Sequence, residues 1–496
     1  MLRSSRFVAS FATALAVGGA TALVPATPAL AADAPIYRTI LQPGEDESQV
    51  MVTWRTKSKA DEVLEVTGPE GTKTFRADER DFGALLYKSQ FATATDLQPD
   101  TEYSYRVGSE EGGWSEPETF NTGSNGDDWS FLTVADPQIG VDLKVDDQAE
   151  QWRKTIGHAA SHVPNASMIW SLGDQVEGWG AQVPQYDAYF SAPEIRHIPT
   201  NTVPGNHETY NLTMKHHDEH FSNPHQADDI RDHYFERNNV LFIGLDSNAS
   251  SDADIARHEQ FLREAIESRG ADNDWIVVGM HHGPYSQGSH HFDKDVTNLR
   301  EKLTPVLSEL NVDAVLSGHD HIYTRSHLMK NNKPVLPEKK PQRGDVLEPK
   351  DGEALYLTTT TAGGGKYYDF TDVNNKKHKG ARMETIDPKL AHESTAMWRQ
   401  DYTEDYMRVD VSDDKLTFTT FNEGDNTLVD KVSLKKKDRG AAPADDATDP
   451  ADSTESTDPA DSTESTDPDT PEAPKDPEGG SSLSSSDIFG GLSSKK

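Results

Sequence analysis

The sequence predicts an all-β sandwich followed by an α/β domain, with a polar tail behind them, and three observations predict it. Short runs alternating apolar and polar residues, separated by turns, fill residues 35–123. From Trp129 onward, strand-like runs alternate with helix-period runs, the pattern of an α/β domain. After about Lys437 the apolar periodicity stops. The boundaries drawn are 1–31 for an export signal, 32–125 for the β-sandwich, 126–437 for the α/β domain and 438–496 for a disordered tail rich in Pro, Asp, Ser and Thr.

The first segment carries Arg3 and Arg6, then an apolar run, then Ala29-Leu30-Ala31, the layout of a secretory signal peptide with its small-residue cleavage site. The two arginines are not adjacent, so a Sec-type route is expected and the protein is placed outside the cell. No later segment approaches membrane-spanning length. In the β-rich unit, Gln49–Trp54 alternates and ends on a Trp suited to a sandwich core. In the α/β unit the expected strands are Ser130–Ala135, Met168–Leu172, Ile198–Val203, Val240–Leu245, Trp275–Met280 and Ala314–Ser317. Helices are expected at Gln148–His162, Tyr186–Ile195, Asp252–Arg269 and Asp295–Leu310. Met407–Val411, Lys415–Phe421 and Leu428–Leu434 read as an antiparallel finish to a sheet. The tail repeats TDPADSTES at Thr448–Ser456 and Thr457–Ser465, a solvated stalk suited to cell-surface association.

The chain has no cysteine, so an exported fold rests on its core and on any bound metal, whose ligands must be His, Asp, Glu, Asn or Gln. A formal charge of -36 argues against a nucleic-acid partner, and no basic groove is evident. An anionic substrate would need local cations to overcome that field.

Five strand-like runs end in metal-capable side chains. SFLTVA stops at Asp136-Pro137-Gln138, and MIWSL stops at Gly173-Asp174-Gln175-Val176-Glu177. NTV is broken by Pro204 and Gly205 before Asn206-His207-Glu208. IVVGM meets His281-His282, and AVLS meets Gly318-His319-Asp320-His321. Each motif alone is a common turn. Their recurrence at strand ends is the arrangement in which open α/β sheets gather ligands, and two Asp, an Asn and three His suit a pair of cations.

Together these motifs resemble the calcineurin-like metallophosphoesterases, and within them the purple acid phosphatase-like branch. Leu97–Val107 (LQPDTEYSYRV) is similar to the tyrosine-corner segment of fibronectin type III domains, and a fibronectin III-like sandwich ahead of the catalytic domain fits that branch. The resemblance implies two packed mixed sheets flanked by helices, and a secreted hydrolase of acid phosphatase type with two metal ions (Fe, Zn or Mn). It implies Asp136 and His321 on the first metal, Asp174 bridging both, and Asn206, His281 and His319 on the second. His207 would hydrogen-bond the phosphoryl group and help protonate the leaving oxygen. His290 would face the substrate, and His291 beside it is a further candidate for substrate contact. The reaction implied is hydrolysis of phosphate monoesters by in-line attack of a metal-bridging hydroxide. A phosphodiesterase or nucleotidase on the same scaffold is the nearest alternative. A surface binding protein with a structural metal site is the alternative from another class.

Two departures from the family pattern stand out. Glu177 occupies the place where the purple enzymes carry a Tyr, and Gln138 the place where the wider family often carries a His. Each either ligates a metal or supports the ligands. His282 is expected to be structural, and His216, His217, His220 and His225 to lie in a solvated loop. His158 and His162 are expected on a helix surface, and Thr358–Tyr368 in a tight loop near the metal face.

Overall fold

Val50, Val52 and Trp54 alternate along the strand Val50–Thr56 and are buried with Leu64, Tyr105 and Phe120 in one apolar core. That core is the filling of an N-terminal β-sandwich. The computed structural model describes residues 36–80, 87–212 and 214–437; the expected export signal and the whole of the acidic tail lie outside them. One sheet of the sandwich runs Ile36–Pro43, Val50–Thr56, Lys88–Ala94 and Asp78–Arg80 in spatial order. The other is built around Val63–Gly68 and Glu102–Ser109. The Tyr103 hydroxyl accepts the Gln98 backbone N–H at 2.8 Å, closing the corner that leads into its strand.

The α/β domain is two seven-stranded mixed sheets packed face to face. The first orders Thr200–Val203, Ala166–Leu172, Trp129–Val134, Asp405–Val411, Lys415–Asn422, Leu428–Lys435 and Asp345–Leu347. Its first three strands are parallel, and the next three close it antiparallel, as the sequence suggests. The second orders His233–Arg237, Val240–Leu245, Trp275–His282, Ala314–Gly318, Leu355–Thr358, Tyr323–Ser326 and Thr395–Arg399. Phe131, Trp170, Phe242, Val277, Leu316 and Val409 meet between the sheets. The alternate residues Leu132, Val134 and Ile169 face outward onto Trp152 and Ile156 of the helix Val145–His162. Ile243, Ile276 and Val278 face Leu262 of the helix Asp252–Arg269. Strands buried on both faces explain the near-continuous apolar runs.

Two helical expectations change. The stretch expected as one helix over Tyr186–Ile195 is two, Gln182–Tyr189 and Glu194–His197, because Pro193 cannot donate an N–H to the preceding turn. Asp295–Leu310 is helical through a π turn at Leu299–Leu303. No helix of the described residues is long and apolar enough to cross a membrane.

The sandwich meets the α/β domain through buried charge. Arg38 Nη1 and Arg55 Nη1 approach His220 Nε2 at 2.8 and 3.2 Å, and Arg55 pairs with Glu219 at 3.1 Å. His217 and His220 are both buried. The solvated loop expected there is therefore corrected for these two: Arg38 and Arg55 of the sandwich and the Tyr186 ring cover His220, and His217 packs on Phe221.

Candidate metal centre

The parallel strands of both sheets deliver their carboxyl ends to one place. There the backbone turns sharply: Asp136, Gln138, Asp174, His319 and His321 all have positive φ, between 42° and 73°. For side chains other than Gly each such residue costs on the order of 1 kcal/mol, and clusters of this strain mark functional sites. Gly173 takes φ 91°, and a Cβ there would lie 2.5 Å from His281 Nδ1. At Gly205 a Cβ would lie 2.1 Å from Asp174 Oδ1. These glycines let the strand ends close in on one another.

The imidazole tautomers follow from their outer partners. His281 Nδ1–H donates to the Leu172 carbonyl at 2.9 Å. Its Nε2 then faces Asn206 Oδ1 at 3.1 Å, Asp174 Oδ2 at 3.2 Å and His319 Nδ1 at 3.1 Å. His321 Nδ1–H donates to the Lys366 carbonyl at 2.7 Å, leaving Nε2 3.1 Å from Asp136 Oδ1. Asp136, Asp174, His281, His319 and His321 are all buried, and Asn206 is half-buried. Lone pairs that converge in this way cannot all be satisfied by protons. They fit cations, and Asp174, His281 and His319 present atoms close enough together to hold one.

The electrostatics agree. Burial alone would lower His281, but the Asp174 carboxylate outweighs it and pushes the imidazole up to about 10. Burial would raise Asp174, but His281 and His207 hold it well below the usual carboxylate range. Burial, with the neighbouring imidazoles of His282 and His281, holds His319 well below the ordinary histidine value.

Glu208 is the brace of the loop. Its carboxylate accepts the N–H groups of Gly205 at 2.7 Å, Asp174 at 3.0 Å and Val176 at 3.4 Å, tying two strand ends together. Burial and the Asp174 charge push it up to about 8. His207 stands next to this brace, its backbone N–H on Asp174 Oδ1 at 2.9 Å. Its Nδ1–H donates to the Glu177 carbonyl at 2.6 Å, and Nε2 lies 2.6 Å from Gln138 Nε2. The Glu177 carboxylate sits 3.3 Å from the same Nδ1. Gln138 and Glu177 thus both gather at His207, and Gln138 Oε1 is buried with no hydrogen-bond partner.

The His290 ring packs on His319 at a tilt of 36° with centroids 4.1 Å apart, and its Nδ1 lies 2.6 Å from Asp293. His291 goes elsewhere: it is buried in a stack on His392 at 3.6 Å, beside Arg300. The turn that aims His290 at the cluster sends the next side chain away from it, so the structure gives His291 packing contacts in place of the expected substrate contact. His282 is buried against Ser247 Oγ at 2.8 Å, a structural position. His158 pairs with Glu423 at the helix edge.

Sequence reasoning missed Tyr368, whose ring lies 5.0 Å from His290 and 4.9 Å from His321, and Asp320, which accepts the His290 N–H. The loop holding Tyr368 was visible: Thr361 Oγ1 donates to the Asp136 carbonyl, and Gly363 is pressed on Pro137. Only its contact with the imidazoles was hidden.

Residues 130–323 match the Calcineurin-like phosphoesterase family, and residues 36–122 match the family described as Purple acid Phosphatase, N-terminal domain. A purple acid phosphatase of Glycine max is 22% identical over 272 residues, which cover 49% of this chain and 55% of that protein. The chain therefore spans about half the length of that relative. An uncharacterised protein of Mycobacterium tuberculosis is 34% identical over 62 residues, 12% of each chain. Among solved structures, the purple acid phosphatase PPD1 from yellow lupin (Lupinus luteus) seeds has a TM-score of 0.63 at 15% identity, covering 82% of this chain and 75% of that one; the likeness is one of fold. Residues 130–323 are a calcineurin-like phosphoesterase domain, and residues 36–122, ahead of it, are a purple acid phosphatase N-terminal domain.

Proposed function

We propose that the protein is a secreted phosphatase that hydrolyses phosphate monoesters at a two-metal site. The observation that carries this reading is the convergence of His281 Nε2 with oxygens of Asp174 and Asn206 and with His319 Nδ1, all at 3.1–3.2 Å, with His207 anchored on Asp174 beside it. In this reading Asp136 and His321 would hold one cation, Asn206, His281 and His319 would hold the other, and Asp174 would serve both. Cations there would supply a water acidic enough to attack phosphorus and offset the phosphate's charge. Their identity among Fe, Zn and Mn is part of the proposal, and Glu177 in place of a Tyr removes the phenolate that would colour a ferric site.

The rest is done by the chain. His207 has Nδ1–H committed to the Glu177 carbonyl, so Nε2 is the atom that meets the phosphoryl or leaving oxygen. Gln138 serves both protonation states of that atom. Its amide N–H donates to a neutral ring, and rotation of the amide would turn its otherwise unpartnered Oε1 to accept from an imidazolium. His290, held at Nδ1 by Asp293, turns its other nitrogen to the non-bridging oxygens. The export signal at 1–31 places the site outside the cell, residues 32–125 form the fibronectin III-like unit and 126–437 the catalytic one.

Turnover of p-nitrophenyl phosphate and of its bis ester under several metal additions tests the proposal. The monoester should be the better substrate. Preference for the bis ester would make the protein a phosphodiesterase, and hydrolysis of neither would overturn the enzyme reading in favour of a structural metal site.

A further inference from the structure

The chain has eight tryptophans. Trp54, Trp129, Trp152, Trp170, Trp275 and Trp398 are buried, and Trp114 lies half-buried under the Arg106 guanidinium. Trp179 alone is left open, with 55% of its surface exposed. An indole is the largest apolar side chain, and exposing it on a rigid element beside a polar site needs a reason.

The element is rigid. Trp179 sits between Gly178 at φ 77° and Gly180 at φ 74°. A Cβ at Gly178 would lie 2.1 Å from the His207 carbonyl oxygen, so the loop is pressed directly on the residue after Asn206. The Gly178 N–H donates to Gln185 Oε1 at 2.9 Å, Gln185 Nε2 donates to the Trp179 carbonyl at 2.8 Å, and Gln182 Nε2 donates to the Gly178 carbonyl at 3.0 Å. Gln185 also packs on Gly140, at the root of the turn that exposes Leu143.

The ring is aimed. It packs on Tyr210 with centroids 4.3 Å apart, and Tyr210 meets the His207 ring edge-on at 4.5 Å. Tyr210 is in turn within 3.4 Å of Asn206 Nδ2. An apolar shelf thus begins at the ring proposed to handle the leaving oxygen and runs outward to an open indole face. What emerges past His207 is the alcohol part of the ester.

We infer that Trp179 and Tyr210 form a stacking platform for the leaving group, so that the substrates are phosphate monoesters whose alcohol carries a flat aromatic ring, a nucleoside being the natural size. The inference rests on the monoesterase reading above. Stacking on an aromatic side chain tolerates any base, so discrimination among bases should be slight, while the presence of a base should count for on the order of tenfold or more in affinity.

Adenosine 5′-phosphate and ribose 5-phosphate test this, because the same primary alkoxide leaves from both and only the base differs. The KM for the nucleotide should be about tenfold lower. Trp179→Ala should bring the ratio of the two KM values close to one, and Trp179→Phe should keep most of it. Equal KM values in the unmodified protein, or a ratio unmoved by Trp179→Ala, would overturn the platform. Benzyl phosphate distinguishes a general aromatic preference, which it would share, from one that needs the nucleoside. If neither sugar phosphate nor nucleotide is hydrolysed, the phosphatase reading fails separately. The platform is then still decided by quenching of tryptophan fluorescence with adenosine, expected in the unmodified protein and lost in Trp179→Phe; no quenching would overturn it.

Discussion

Asp174 Oδ1 accepts the backbone N–H of His207 at 2.9 Å, while Oδ2 of the same carboxylate lies 3.2 Å from His281 Nε2. One side chain therefore registers the proposed acid–base residue against the proposed metal ligands. Any ester placed by the ligands is placed for His207 as well.

His207→Ala should lower kcat by about 10²–10⁴-fold, the range for general acid–base groups, and leave metal content intact. Steady-state kinetics with metal analysis of the same sample check both halves. Loss of metal would show that His207 is a ligand.

Glu208→Ala removes the acceptor of three backbone N–H groups that join Asp174, Val176 and Gly205. The expected loss is about 1–3 kcal/mol of stability for each donor left truly unsatisfied, with metal affinity down about 10–100-fold as for other residues that orient ligands. Denaturant titration and competition with a chelator measure the two effects. Unchanged metal affinity would confine Glu208 to folding.

The interface between the sandwich and the α/β domain should be acid-sensitive. Burial, reinforced by Arg38 and Arg55, holds His220 well below its ordinary value of 6.5. Its Nε2 accepts from both guanidinium groups, so protonation breaks both contacts. A histidine whose pKa is lower in the folded state gives stability that is complete above the unfolded value and lost as pH falls below it. Thermal unfolding should therefore shift downward below about pH 6.5, and less steeply in His220→Gln. Equal slopes in the two proteins would remove His220 from the account.

Cation binding should release protons. His281 is pushed up to about 10 by the Asp174 carboxylate against the effect of burial, so at neutral pH a cation must displace its proton. Titration calorimetry in buffers of different ionisation enthalpy should show proton release, with affinity rising as pH rises. Binding without proton release would contradict the ligand role of His281.

The proposed ligand set was legible because it is written locally. Each of Asp136, Asp174, Asn206, His281 and His319 sits at the end of its own apolar run, and a parallel sheet brings such ends together whatever the loops between them do. Gln138 and Glu177 were ambiguous because their destination depends on His207, which reaches them from another strand. His217 and His220 were misread for a related reason. Their loop is polar in sequence, and the partners that bury His220, Arg38 and Arg55 more than 160 residues away and the Tyr186 ring, come from other elements. Trp179 gave no periodic signal, since a single aromatic between two glycines looks like any turn.

The most direct measurement is the number and position of cations in a crystal of the full protein, read by anomalous scattering. Two cations per chain are expected, enclosed by Asp136, Asp174, Asn206, His281, His319 and His321. A single cation, none, or one held by other residues would contradict it.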